Sequence, residues 1–312
     1  VIGGERAALP HADDEPTRRC STMRLCFGPT APTNHELTRD CAMKAAELAA
    51  RTACARDLAH DAGRLALSYF HRQFDLAVER KGPQDWVSAA DRAVEALIRD
   101  TLAAAFPGDA MLGEEGGGSV GDRLWVVDPI DGTTNFVHGM RYWCISIAFV
   151  ADGVRQVGVI HDPCGDEMFW AQRGEGAASD SGPLRVSACT SLDTALVGAG
   201  YVPRHPLAEH LAMRTALFGA GAAVKDMGAG ALMLAHVAAG RLDAFMEPHM
   251  HPWDALAGLA LVEEAGGITA PYPGPRGIAA GGRVLAAAPG VFAALAALQG
   301  AVQNTTPSTT QP

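Results

Sequence analysis

The sequence predicts a mixed α/β (α+β) protein made of two packed α/β blocks, and three observations carry that expectation. Apolar residues at helical spacing mark long helices at 43–72 and 88–106. Between about 144 and 187, short apolar runs follow one another as consecutive strands, the first two joined by the turn Ala151-Asp152-Gly153. After about residue 190, strands alternate with helices. Hairpin-linked strands followed by alternating strands and helices indicate two layered systems rather than one doubly wound sheet.

Each element has its own local signal. Residues 1–42 are rich in Pro, Thr, Arg and Asp without periodicity, which predicts a disordered extension. Residues 43–72 form an Ala-rich helical stretch. In 88–106, Val94, Leu97, Ile98 and Leu102 share a helical face, and Pro107-Gly108 stops the helix. Leu124-Trp125-Val126-Val127 is an apolar run of strand type, and further strands are expected at 144–150, 154–160, 167–171 and 184–187. A second block follows, with strands near 195–199, 241–246 and 284–288 and helices near 206–218, 229–239, 254–265 and 290–299. Residues 301–312 are a polar tail. The expected organisation is therefore an extension (1–42), an N-terminal α+β domain (43–190), a C-terminal α/β domain (191–300) and a disordered tail (301–312).

Bulk composition excludes several classes. Apolar residues make up 48% and charged residues 19%, as in soluble globular chains. A formal net charge of −10, with no dense basic run, argues against a nucleic-acid partner. It does not argue against a phosphate substrate, because bound cations invert the field of an acidic pocket. No apolar stretch approaches a membrane span, so no membrane partner is expected. The seven cysteines are odd in number and form no C-x-x-C pair, and with no secretory apolar region near Val1 they predict a reduced, cytoplasmic setting.

The chemistry concentrates in Asp128-Pro129-Ile130-Asp131-Gly132-Thr133-Thr134-Asn135-Phe136, directly after the strand run at 124–127. The chain leaves a strand, turns at Pro129 and Gly132, and places two carboxylates three residues apart. Paired acids repel unless a cation or proton lies between them. The Gly-Thr-Thr-Asn that follows offers N–H groups and hydroxyls suited to phosphate. Two other acidic sites stand out: Gly113-Glu114-Glu115-Gly116, which alone is most simply a solvated turn, and Trp253-Asp254, which alone is most simply a helix start. An EF-hand is excluded by the spacing of the acids. His249 and His251 beside Glu247 do not make a zinc motif.

These three elements, in this order, resemble the inositol monophosphatase family of metal-dependent, lithium-sensitive phosphatases. The likeness rests on Gly113-Glu114-Glu115, on 125–136, and on Trp253-Asp254-Ala255-Leu256-Ala257-Gly258 running to Glu264-Ala265-Gly266-Gly267. It implies a layered α-β-α-β-α sandwich, and it makes 43–190 the metal- and phosphate-binding domain. It further implies Mg²⁺ (two or three ions) held by Glu114, Asp128, Asp131, Asp254 and the Ile130 carbonyl, ligands of the hard oxygen type that Mg²⁺ requires. Gly132 and Thr133 would bind phosphate, and Thr133 with Asp91 would orient the attacking water, although Ser88-x-x-Asp91 is also a capping box. Glu247 and the segment Gly228-Ala229-Gly230 would face a polyol, with Gly-Ala-Gly standing where members more often read Gly-Ser-Ala-Ala.

The activity so implied is hydrolysis of a small phosphorylated polyol, foremost myo-inositol 1-phosphate, by direct attack of a metal-activated water. Histidinol phosphate, fructose 1,6-bisphosphate and a nucleoside bisphosphate are the alternatives within the family. A homodimer is expected, and a non-catalytic role as a partner of the transcription machinery is the alternative of a different class.

Overall fold

The computed structural model describes residues 34–71, 78–82, 85–201 and 206–305. Residues 43–312 form one compact unit, distinct from 1–42. Most of the expected N-terminal extension lies outside the described residues, but its last part is helical, because α1 runs Asn34–Phe70. A hairpin of β1 (Val78–Gly82) and β2 (Asp85–Ser88) leads into α2 (Ala89–Ala105). Next come β3 (Ala110–Gly113), β4 (Gly117–Gly118), β5 (Arg123–Asp131), the short α3 (Thr133–Val137), β6 (Cys144–Ala151), β7 (Val154–Asp162), β8 (Glu167–Gln172), β9 (Gly176–Ser179) and β10 (Gly182–Pro183). The remainder is β11 (Leu196–Ala199), α4 (Leu207–Gly219), β12 (Ala223–Lys225), α5 (Gly230–Ala238), β13 (Ala244–Met250), α6 (Pro252–Glu264), β14 (Ile268–Thr269), β15 (Gly282–Ala287) and α7 (Pro289–Thr305).

The expected strand at 184–187 does not form. The sheet instead ends with β9 and β10, and Leu184 and Val186 pack against the core from irregular chain. At the C-terminus α7 extends through Thr305, five residues into the stretch expected to be a tail, and 306–312 lie outside the described residues. No described helix is long and apolar enough to cross a membrane.

Two sheets organise the unit. The larger has eight strands in the order β10-β9-β8-β7-β6-β5-β3-β4, and the smaller has five in the order β12-β11-β13-β15-β14. Why the strand runs are apolar on both faces is explained by the layers around them. In β5, Leu124 and Val126 join a core with α5 and α6, while Trp125 and Val127 join a core with α1 and α2. In β13 and β15, Phe245, Val284 and Ala286 face the α5–α6 core, while Met246, Leu285 and Ala287 face α4 and α7. The period of two thus sends alternate side chains into different layers. The architecture is α-β-α-β-α, as the motif resemblance implies.

The middle layer is the tightest. Helices α5 and α6 are apolar nearly all round because both sides meet a sheet. A Cβ at Gly158 of β7 would lie 2.4 Å from the Ala257 carbonyl oxygen, and one at Gly258 of α6 would lie 2.4 Å from the Leu234 Cβ. Glycine at these two positions lets α6 sit directly on the large sheet and on α5.

Candidate active site

A register irregularity builds the centre of the site. Asp128 pairs with Ser146 and Asp131 with Cys144, so between these pairs two residues of β5, Pro129 and Ile130, oppose one of β6, Ile145. Pro129, which has no N–H to give the ladder, sits inside this bulge. Without the extra residue, Asp128 and Asp131 would point to opposite faces. With it, both follow Leu124 and Val126 towards the α5–α6 layer, while Ile130 turns into the core beneath α1 and α2.

Each carboxylate then meets a helix start. Asp131 accepts from the backbone N–H groups of Gly230 (3.2 Å), Ala231 (2.8 Å) and Leu232 (3.4 Å) at the start of α5. The N-cap of α5 is Ala229, which has no side-chain acceptor, so a carboxylate from a distant strand does the capping. This accounts for the Gly-Ala-Gly at 228–230: a local hydroxyl is not needed to satisfy those amides. Asp254 occupies the third position of α6 and accepts from the His251 N–H at 3.1 Å.

Glu114 completes a cluster. It follows β3, which lies parallel to β5, and its own N–H donates to the Val127 carbonyl at 3.2 Å. Ligand oxygens of Glu114, Asp128 and Asp254 all lie within 4.8 Å of one another. Asp131, expected in the same ligand set, stands outside that group of three, with its oxygens turned to α5. Burial, reinforced by the charges of Glu114, Asp254 and Asp131, pushes the Asp128 carboxyl well above the ordinary range. Burial and Asp254 raise Asp131 to about 7, against the opposing pull of the Ala231 and Leu232 amides.

The cleft over this cluster has a volume of about 180 Å³. Its lining includes six carboxylates, Glu114, Asp128, Asp131, Asp226, Glu247 and Asp254, and among the described residues no Lys, Arg or His. Gly132, Thr133 and the 228–230 segment also line it. Gly132 adopts φ 91°, and a Cβ there would lie 3.0 Å from the Ala229 Cβ, so a side chain is excluded by conformation and by space. Thr133 Oγ1 donates to the Ile130 carbonyl at 3.0 Å and stands 3.4 Å from Asp91 Oδ1. Asp91 Oδ2 meanwhile accepts from the Ser88 N–H (2.8 Å) and hydroxyl (2.6 Å), forming the capping box of α2. The capping and site-facing arrangements therefore coexist on one carboxylate. Glu247, which also lines the cleft, is buried, and no described residue hydrogen-bonds its carboxylate. Burial, then Asp254, Asp131 and Asp226, raises its carboxyl well above the usual range.

Two further residues hold this arrangement: Glu95, which the sequence left unremarked, and Asn135, which it read only as part of the central motif. Glu95 on α2 is 3% exposed and accepts from the N–H groups of Glu115 and Gly116, both at 2.8 Å. It thereby fixes the turn that carries Glu114. Asn135 donates to the Tyr142 and Met227 carbonyls at 2.7 and 2.8 Å, tying the central turn to the approach of α5. Glu95 with Arg99 has the spacing of an ordinary surface ion pair, so nothing local signals its role. His249, by contrast, bonds the Ala280 carbonyl at 2.9 Å, and His251 stacks on Trp253; neither joins the acidic cluster.

The model of the inositol monophosphatase family matches residues 47–304. The chain belongs to that family. A relative called Nus factor SuhB from Pseudomonas aeruginosa is 41% identical over 246 residues, covering 76% of this chain and 91% of the relative. An inositol-1-monophosphatase from Rhizobium meliloti is 41% identical over 211 residues, covering 66% and 79%. Among solved structures, extragenic suppressor protein suhB from Bartonella henselae superposes with a TM-score of 0.76 at 33% identity, covering 82% of this chain and all of that one. Inositol monophosphatase membership agrees with the five-layer fold and with an acidic cluster at the ends of β3 and β5 and the start of α6.

Proposed function

We propose that the chain is a Mg²⁺-dependent phosphomonoesterase that hydrolyses myo-inositol 1-phosphate by direct attack of water. The observation that carries this is the convergence of Glu114, Asp128 and Asp254 on one point of a carboxylate-lined cleft. Three carboxylates at that spacing, Asp128 buried and Glu114 and Asp254 partly so, repel one another, and their hard oxygens suit Mg²⁺, with Asp131 and the Ile130 carbonyl as further oxygen donors beside them. Bound there, Mg²⁺ would neutralise phosphate charge and acidify water.

The chain's own groups do the rest. The backbone N–H groups of Gly132 and Thr133, at the start of the short α3, are assigned to phosphate oxygens. The Thr133 hydroxyl, within reach of Asp91, orients the water opposite the leaving group. Glu247 accepts from a hydroxyl of the departing polyol, which would satisfy a buried carboxylate that the described residues leave without a hydrogen bond. No side-chain nucleophile is required, and catalysis is positioning and charge neutralisation.

Phosphate release from purified protein, with Mg²⁺ or a chelator, tests this across inositol 1-phosphate, histidinol phosphate, fructose 1,6-bisphosphate and a nucleoside bisphosphate. We expect inositol 1-phosphate to be preferred, and release to vanish with chelator and in Asp128→Asn. Full turnover in Asp128→Asn would sink the metal-site assignment; preference for another ester would keep the site and change the substrate. A second reading, a Nus-factor role, is supported by the name of the Pseudomonas aeruginosa relative. A cellular phenotype retained by the inactive Asp128→Asn protein would favour it.

A further inference from the structure

Two further residues of the cleft lining, Tyr201 and Asp226, follow neighbouring strands of the small sheet. Strands β11 and β12 run parallel, and just past their C-terminal ends Tyr201 and Asp226 both line the cleft. Carboxyl ends of parallel strands are where such sheets present ligand-reading groups. Helix α4, which connects the two strands, reaches both loops with one pair of side chains, His210 and Arg214, placed four residues apart. His210 is buried and packs against the Tyr201 ring at 4.7 Å between centroids. Its Nε2 lies 3.4 Å from Arg214 Nη1, and because guanidinium only donates, Nε2 is the accepting nitrogen. Arg214 Nη1 also donates to Asp226 Oδ2 at 3.1 Å.

We propose that Tyr201 and Asp226 read the alcohol half of the phosphomonoester, and that His210 and Arg214 position them. This rests on the phosphomonoesterase reading above and adds a requirement to it: the leaving alcohol is a cyclic one that carries a hydrogen-bond donor away from the ester oxygen. Asp226 accepts from that donor, and the Tyr201 ring covers the apolar face of the alcohol. The Arg214–Asp226 pair leaves its side chains 25% and 34% exposed, and a pair so wet adds little to stability. Its purpose is therefore orientation of the Asp226 carboxylate.

The test is the ratio of kcat/KM for inositol 1-phosphate to that for 4-nitrophenyl phosphate, whose leaving group has no second donor. Histidinol phosphate runs in parallel, to separate a hydroxyl donor from an ammonium. In Asp226→Ala and Tyr201→Ala the ratio should fall roughly ten-fold, mostly through KM. Arg214→Met should shift it in the same direction, and Arg214→Lys should restore part of the loss. Equal losses on all esters would mean a merely structural role and would overturn the proposal, as would an unchanged ratio. A wild-type protein that hydrolyses none of the esters with Mg²⁺ would instead overturn the phosphatase reading, and this proposal with it.

Discussion

Asp91 shows how one side chain can serve both folding and chemistry. Its Oδ2 is committed to the start of α2 through Ser88, and its Oδ1 stands 3.4 Å from the Thr133 hydroxyl. The two functions separate by mutation because Ser88 touches only the first. Ser88→Ala should cost about 1 kcal/mol in urea denaturation, the usual effect of a lost N-cap, while kcat stays within about two-fold. Asp91→Ala should cost a similar amount of stability and also lower kcat by about 100-fold or more, as expected when a group that orients a proton acceptor is removed. Equal kcat losses in the two variants would show that capping alone matters.

Among elements, the decisive relation is between α2 and the turn at 113–116. Helix α2 packs on the large sheet through Val94, Ile98 and Leu102, and that packing carries Glu95 to the base of the Glu114 turn. Glycines at 113 and 116 are required there, since a Cβ at either would lie 2.6 Å from the Glu95 carboxylate. Removing the carboxylate leaves the Glu115 and Gly116 N–H groups without their acceptor and Arg99 with only the Gly117 carbonyl. Glu95→Ala should therefore destabilise the protein by about 3 kcal/mol. Because Glu114 loses its support, the Mg²⁺ concentration for half-maximal phosphate release should rise several-fold. A variant that is destabilised yet keeps the wild-type Mg²⁺ response would show that Glu114 holds its place without α2.

At the scale of the whole molecule, the middle layer must keep several carboxylates together in a buried place. Asp128, Asp131 and Glu247 all have raised pKa values, Asp131 to about 7, chiefly because burial penalises their charged forms. Unfolded, an aspartate ionises near 4, so Asp131 favours the fold below about pH 4 and loses that contribution as pH rises through about 7, and Asp128 and Glu247 act with the same sign. Without a cation the protein should therefore become less stable between those limits. Mg²⁺ binds the ionised forms and stabilises in proportion to them. The rise in Tm on adding Mg²⁺ should accordingly be larger at pH 8 than at pH 5, as measured by thermal denaturation with chelator as reference. Equal increments at the two pH values would contradict the linkage.

The sequence by itself determined the mixed α/β class, most helices and the longer strands, because apolar period and stop signals are local. The helix at 88–106, the hairpin around Ala151-Asp152-Gly153 and the motifs carrying Glu114, Asp128 and Asp254 were all legible in this way. Strands of two to four residues, such as β4, β9, β12 and β14, were not, since so few residues cannot display a period and their pairing depends on neighbours. What only the tertiary structure decided is where the charges go. The bulge at Pro129 turns Asp128 and Asp131 to one face, and Asp131 caps a helix about a hundred residues away. Glu95, which reads as half of a surface ion pair, is buried under the turn it supports. Local sequence registers residue type and spacing, whereas desolvation and long-range hydrogen bonding exist only once the layers have packed.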